Sequence, residues 1–108
     1  MSSSKDFVEF IVDQIVSIGK IRYRKMFGEY VLYCNEKVVA LICDNKLFVK
    51  PTNKGEIFIG KPLFSPAYPG AKPSFLIEEN LEESEWLSEL IQITYKELPT
   101  PKVKKYKK

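Results

Sequence analysis

The chain has 108 residues, 44% of them apolar and 29% charged, which suits one soluble globular domain and leaves no room for two. No run approaches the roughly 18–20 apolar residues that span a bilayer, and Asp6 and Glu9 inside the first apolar stretch argue against a secretory leader, so a cytoplasmic protein is expected. The formal net charge is +3 with no histidine, which removes Ser–His and Cys–His nucleophile pairs, histidine bases and imidazole metal ligands together.

Residues 4–18 predict an amphipathic helix. Asp6, Glu9, Asp13 and Ser17 recur at spacings of three and four and form a polar stripe. Phe7, Phe10, Ile11, Ile15 and Ile18 form the opposing apolar one, widened by Val8 and Val12. Ser3 followed by Asp6 approximates a capping box, and Gly19 suits the left-handed position that ends a helix.

Strands follow. Ile21 and Tyr23 alternate with Arg22 and Arg24, and Gly28 then marks a bulge or turn. Residues 30–34 (YVLYC) and 38–43 (VVALIC) are β-rich runs joined by a short Asn35-Glu36-Lys37 loop. Asp44-Asn45 joins 38–43 to 46–50 as a two-residue type I′ turn. Pro51-Thr52 stops the last of these strands. Thr52 is placed to cap a short helix over 53–59 that buries Ile57 and Phe58, although Gly55 weakens it.

Residues 60–73 (GKPLFSPAYPGAKP) carry four prolines and two glycines, a density expected to exclude regular structure. Residues 74–78 read as one more strand, placed at an edge. A final helix over 83–97 turns Trp86, Leu87, Leu90, Ile91, Thr94 and Leu98 to one side and its glutamates to the other. The expected domain is 1–98, with a basic, disordered tail over 99–108. The order α-β-β-β-β-α-β-α gives a two-layer α+β fold, an antiparallel meander packed against the N- and C-terminal helices.

The charge is uneven along the chain. The last ten residues hold five lysines and no acid, while residues 1–98 carry 12 basic and 14 acidic side chains. Residues 78–97 alone hold seven glutamates against one lysine. Cys34 and Cys43 match no zinc or redox spacing. At opposite ends of a strand they would exceed the roughly 7 Å Cα limit for a disulfide, so two buried thiols are expected.

Lys20, Arg22, Arg24 and Lys25 have two readings. They form a patch for phosphate or an acidic partner, or they line the wet face of a half-buried strand, which the period-two alternation favours. Tyr23, Phe27, Tyr30 and Tyr33 likewise serve as core residues or as a stacking platform for single-stranded nucleic acid. The loop around Tyr68-Pro-Gly-Ala-Lys72 is a functional loop or a rigid connector. Glu78, Glu79, Glu82, Glu83, Glu85 and Glu89 read as a solvated helix face. No cofactor or metal set emerges.

The run Arg24-Lys25-Met26-Phe27-Gly28-Glu29-Tyr30-Val31-Leu32-Tyr33 resembles the R-[RK]-M-F-G-x-Y-x-x-Y signature of the TfoX/Sxy N-terminal domain family. The likeness extends through the Val38–Val49 hairpin, Lys50-Pro51-Thr52, the Tyr68–Pro73 loop and Trp86-Leu87. It implies a secretion-chaperone-like fold and a non-enzymatic regulatory role in competence, exercised through the transcription machinery. Met26, Phe27, Gly28, Tyr30 and Tyr33 are then structural motif residues. Full-length family regulators carry a second helical domain, where this sequence has the lysine tail. The expectation is a module acting through protein contacts, with a homodimer as one arrangement. Arg22, Arg24, Lys25, Tyr68 and Lys72 are its candidate interaction residues. Nucleic-acid binding through the basic strand and tail is the alternative.

Overall fold

The computed structural model describes residues 4–26 and 29–99. Phe27, Gly28, the anticipated cap Ser3 and the lysine tail from residue 100 onward lie outside that range. Helix α1 (Lys5–Ile15) starts at Ser4, whose hydroxyl accepts the Phe7 N–H at 3.1 Å. This satisfies one of the N–H groups that a helix start leaves unpaired. Val8, Ile11 and Ile15 are its fully buried face. Phe10, assigned to that face from spacing, is 39% exposed at its margin. A 3₁₀ turn over Val16–Ile18 follows, and Gly19, at φ 160°, is extended rather than left-handed.

Six strands form one antiparallel sheet. They are β1 (Ile21–Met26), β2 (Glu29–Cys34), β3 (Lys37–Cys43), β4 (Lys46–Val49), β5 (Leu63–Pro66) and β6 (Pro73–Ile77), in spatial order β1-β2-β3-β4-β6-β5. Asn35 and Glu36 alone make the β2–β3 turn, with φ of 47° and 75°. Asp44 and Asn45 make the β3–β4 turn, with φ of 54° and 57°. Positive φ at both central residues twists each hairpin the way the strands twist. A register shift at Leu32/Tyr33 leaves Val39 as an extra residue on β3, so Val39 and Ala40 are both fully buried. A bulge of this kind turns consecutive side chains toward one face.

Helix α2 (Asn53–Ile59) is capped as expected: the Thr52 hydroxyl accepts the Gly55 N–H at 3.0 Å. The Glu97 carboxylate, from the last turn of α3 (Ser84–Glu97), accepts the N–H groups of Asn53 and Lys54. It is Gly55 that α2 buries, while Ile57 is 79% exposed and Phe58 half-buried. The short helix therefore rests on its glycine. A β-carbon there would sit 2.5 Å from Thr52 Oγ1 and 3.1 Å from the Phe75 ring.

The proline-rich stretch does hold a strand, and the element order gains β5 between α2 and β6. Pro66 and Pro73 pair with each other at the ends of the β5–β6 hairpin. β5 is an edge strand, where a missing N–H costs nothing if it faces solvent. β6 consequently lies inside the sheet, between β4 and β5, rather than at the edge.

All described helices pack on one face of the sheet. Val8, Ile11, Ile15, Leu87, Leu90 and Ile91 meet Tyr30, Leu32, Val39, Ala40, Ile42, Leu47, Val49, Phe75 and Ile77 in a single core. α1 and α3 are joined at their ends. The hydroxyls of Ser84 and Ser88 both donate to the Gln14 carbonyl, at 2.7 and 2.8 Å, which the end of α1 would otherwise leave unpaired. The described residues thus form a two-layer α+β domain of three α-helices on a six-stranded sheet.

Candidate partner-binding surface

Strand alternation decides what the second face of the sheet displays. Side chains in register run across it as Arg24, Val31, Leu41, Phe48, Leu76 and Leu63. Each neighbour pair lies at cross-strand contact distance. No described helix lies over this row. Val31, Leu41 and Leu76 are half-buried, Phe48 is 5% exposed, and Leu63 at the far edge is 56% exposed. Phe48 and Cys43 are buried yet stand apart from the core that the helices cover. A sheet with one solvated face commonly alternates apolar with polar. Here the solvated face carries an apolar stripe through five strands.

Cations frame that stripe. Arg24 lies at one end, and Lys46 and Lys50 share the parity of Phe48 on β4 and are exposed. Arg22 sits on the same face and is held. Its guanidinium bonds Glu36 at 2.9 Å and lies 4.2 Å from the centre of the Tyr33 ring. The hydrogen bond to Glu36 raises the Arg22 pKa, and its counterpart holds the Glu36 carboxyl below the usual range. The described ion pairs are Arg22–Glu36 and Lys5–Glu9, and neither takes in Arg24, Lys25, Lys46 or Lys50.

The motif aromatics divide between the faces. Tyr30 is buried under the helices and meets Tyr23 edge-on at 5.6 Å. Tyr33 lies on the opposite face beneath Arg22. Tyr23 donates its hydroxyl proton to Glu9 at 3.3 Å. Stacked bases would need exposed rings in a row, and these tyrosines do not provide one.

Tyr68 and Lys72 occupy the β5–β6 hairpin loop. The Ala71 N–H donates to the Tyr68 carbonyl at 3.0 Å, and Gly70 has φ of 90°. With Pro69 before the glycine this is a type II turn. Tyr68 is 55% exposed. Five inter-strand steps of about 4.8 Å separate β5 from β1, or roughly 24 Å. The structure thus gathers Arg22, Arg24 and Lys25 on one strand and sets Tyr68 and Lys72 at the opposite side.

Other chemistry is sparse among the described residues. Cys34 and Cys43 are buried free thiols, and burial pushes both above the ordinary value. No described cluster of three acidic or cysteine ligands is placed to hold a metal. No described helix is long and apolar enough to cross a membrane. An open cleft of about 580 Å³ lies between the end of α2, β5, β6 and Trp86. Its charged lining groups, Lys61, Glu78 and Glu79, are exposed to solvent. Sequence reasoning missed the apolar row, because it appears only once the order and register of β6 and β5 are known.

These residues have counterparts elsewhere. A family model described as the TfoX N-terminal domain matches residues 13–98. A Spirochaeta aurantia protein, described as an "uncharacterized 12.7 kDa protein in trpE 5′ region", is 38% identical over 107 residues. The match covers 99% of this chain and 93% of that protein. With its whole sheet, all of α3 and the run from Arg24 to Tyr33 inside the matched region, the chain belongs to the TfoX N-terminal domain family.

Proposed function

We propose that the protein is a non-enzymatic regulatory module that works through protein contacts made by the open face of its sheet. One observation carries this reading: the row Val31–Leu41–Phe48–Leu76–Leu63, over which no described helix lies, framed by cations. An apolar centre with a polar, charged rim is a usual mark of a protein-binding patch. The lack of histidine and the burial of both thiols fit a role without catalysis. Family membership suggests the transcription machinery as the partner class and competence as the process.

Affinity capture from the native cell tests this with three baits: the natural protein, Leu41→Glu, and Glu85→Lys on the far side of the molecule. Partners retained by Glu85→Lys and lost with Leu41→Glu support the open face. Equal retention by all three removes it.

A second reading is nucleic-acid binding through Arg24, Lys25, Lys46, Lys50 and the tail lysines. The exposed cations Arg24, Lys25, Lys46 and Lys50 favour it. The net charge of −2 on residues 1–98 opposes it. It requires a mobility shift with DNA at about 50 mM salt that weakens steeply as salt rises. No shift under those conditions ends it.

A further inference from the structure

Strand β1 has β2 on one side and no described strand on the other. The phase of its hydrogen bonds can be fixed. The Asn35 N–H donates to the Lys20 carbonyl at 2.9 Å, and residue pairs that exchange bonds alternate along an antiparallel ladder. Counting along the register, Arg22–Tyr33, Arg24–Val31 and Met26–Glu29 face each other as bonded pairs. Ile21, Tyr23 and Lys25 therefore turn their N–H and C=O groups away from β2, toward the open edge.

Exposed edges are usually blunted by shortness, proline or a bulge. The opposite edge, β5, follows that rule, with four residues and prolines at and before its ends. β1 has six residues in unbroken register and no proline. Its defence is charge, from Lys20, Arg24 and Lys25, with Arg22 already paired to Glu36. A defence by sign rejects like charge and admits the opposite one.

We infer that the open edge of β1 accepts an extended acidic segment of a protein partner as a seventh strand. This rests on the protein-contact reading above and names the partner's chemistry. Arg22 and Arg24 share the open face, while Ile21 and Tyr23 are half-buried on the helix side. The complementary segment alternates acids with apolar residues, its acids on the open face toward Arg24, since Arg22 is paired to Glu36. A second copy of the chain is a poor occupant, since a two-fold pairing of β1 sets Arg and Lys against Arg and Lys. The five lysines of residues 99–108 carry the wrong sign for the same role. Backbone groups aimed at the edge favour a peptide over nucleic acid, which offers no ladder to pair with.

The test uses the ¹⁵N-labelled protein and three probes at about 50 mM salt. They are an end-blocked peptide alternating glutamate with valine, its lysine counterpart, and oligo-deoxythymidine. The glutamate peptide should slow amide exchange at Ile21, Tyr23 and Lys25 at least about threefold, and leave Arg22, Arg24 and Met26, already paired to β2, nearly unchanged. Arg24→Glu/Lys25→Glu should exchange the preference for the lysine peptide. Lys25→Pro, which removes one outward N–H, should weaken binding more than Lys25→Gln. Equal response to both peptides overturns the inference. So does an equal response of the same amides to oligo-deoxythymidine. Protection confined to Val31, Leu41 and Phe48 also overturns it, while leaving the open face as a protein-binding surface.

Discussion

Lys37 shows how much one side chain can hold in a domain this small. Its ammonium donates to the carbonyls of Tyr95 at 2.9 Å and Leu98 at 2.8 Å, and lies 4.3 Å from the centre of the Tyr95 ring. It satisfies carbonyls that the end of α3 cannot pair and sets a cation at the negative end of that helix. Lys37→Met keeps the apolar stem and removes the charge. It should cost about 1.5–3 kcal/mol, the range for charge-assisted bonds to partly buried groups, read by denaturant unfolding. At Arg22 and Glu36 the pair is exposed, and its effect is on titration. The folded Glu36 carboxyl titrates below its ordinary value, so the pair favours the folded state above the unfolded carboxyl's range. That contribution is lost as the pH falls through the folded value. An NMR titration should place Glu36 below a free glutamate, and Arg22→Ala should return it to the ordinary range.

Among the elements, α2 makes the sharpest contrast between propensity and packing. Alanine normally stabilises a helix over glycine by about 1 kcal/mol. At Gly55 the added carbon would meet the capping hydroxyl of Thr52 and the buried ring of Phe75. Gly55→Ala should therefore destabilise, by about 1–3 kcal/mol, with the loss measured by thermal or denaturant melting. The cap at Thr52 was legible in the sequence because capping is local. The burial of Gly55 in place of Ile57 was not, since it depends on Phe75, twenty residues away. β5 was hidden for a related reason. Its prolines forbid an interior strand, and nothing local tells an edge strand from a loop. The Asp44-Asn45 turn, the β2–β3–β4 meander and the inward face of α3 could be read directly, because turn chemistry and hydrophobic periodicity specify them.

At the scale of the whole molecule, the described helices cover one face of the sheet and none lies over the other. Arg22 and Arg24 of β1 lie on that open face, while Lys25 shares the side of Tyr30 under the helices. The apolar stripe that the two arginines border needed the fold to become visible, because its members come from five strands ordered β2-β3-β4-β6-β5. Rim charge of this kind mainly guides encounter and partner choice, while the apolar centre supplies most of the affinity. Arg24→Glu is accordingly expected to slow association and flatten its salt dependence, and Leu41→Glu to shorten the lifetime of the complex, both read from binding kinetics with a captured partner.

The most direct test of the open face is methyl cross-saturation from that captured partner to the deuterated, methyl-labelled protein. The account predicts attenuation at Val31, Leu41, Leu63 and Leu76, with Val8, Leu87 and Leu90 of the covered core spared. Attenuation confined to methyls on the helix side, with those four unaffected, would contradict it.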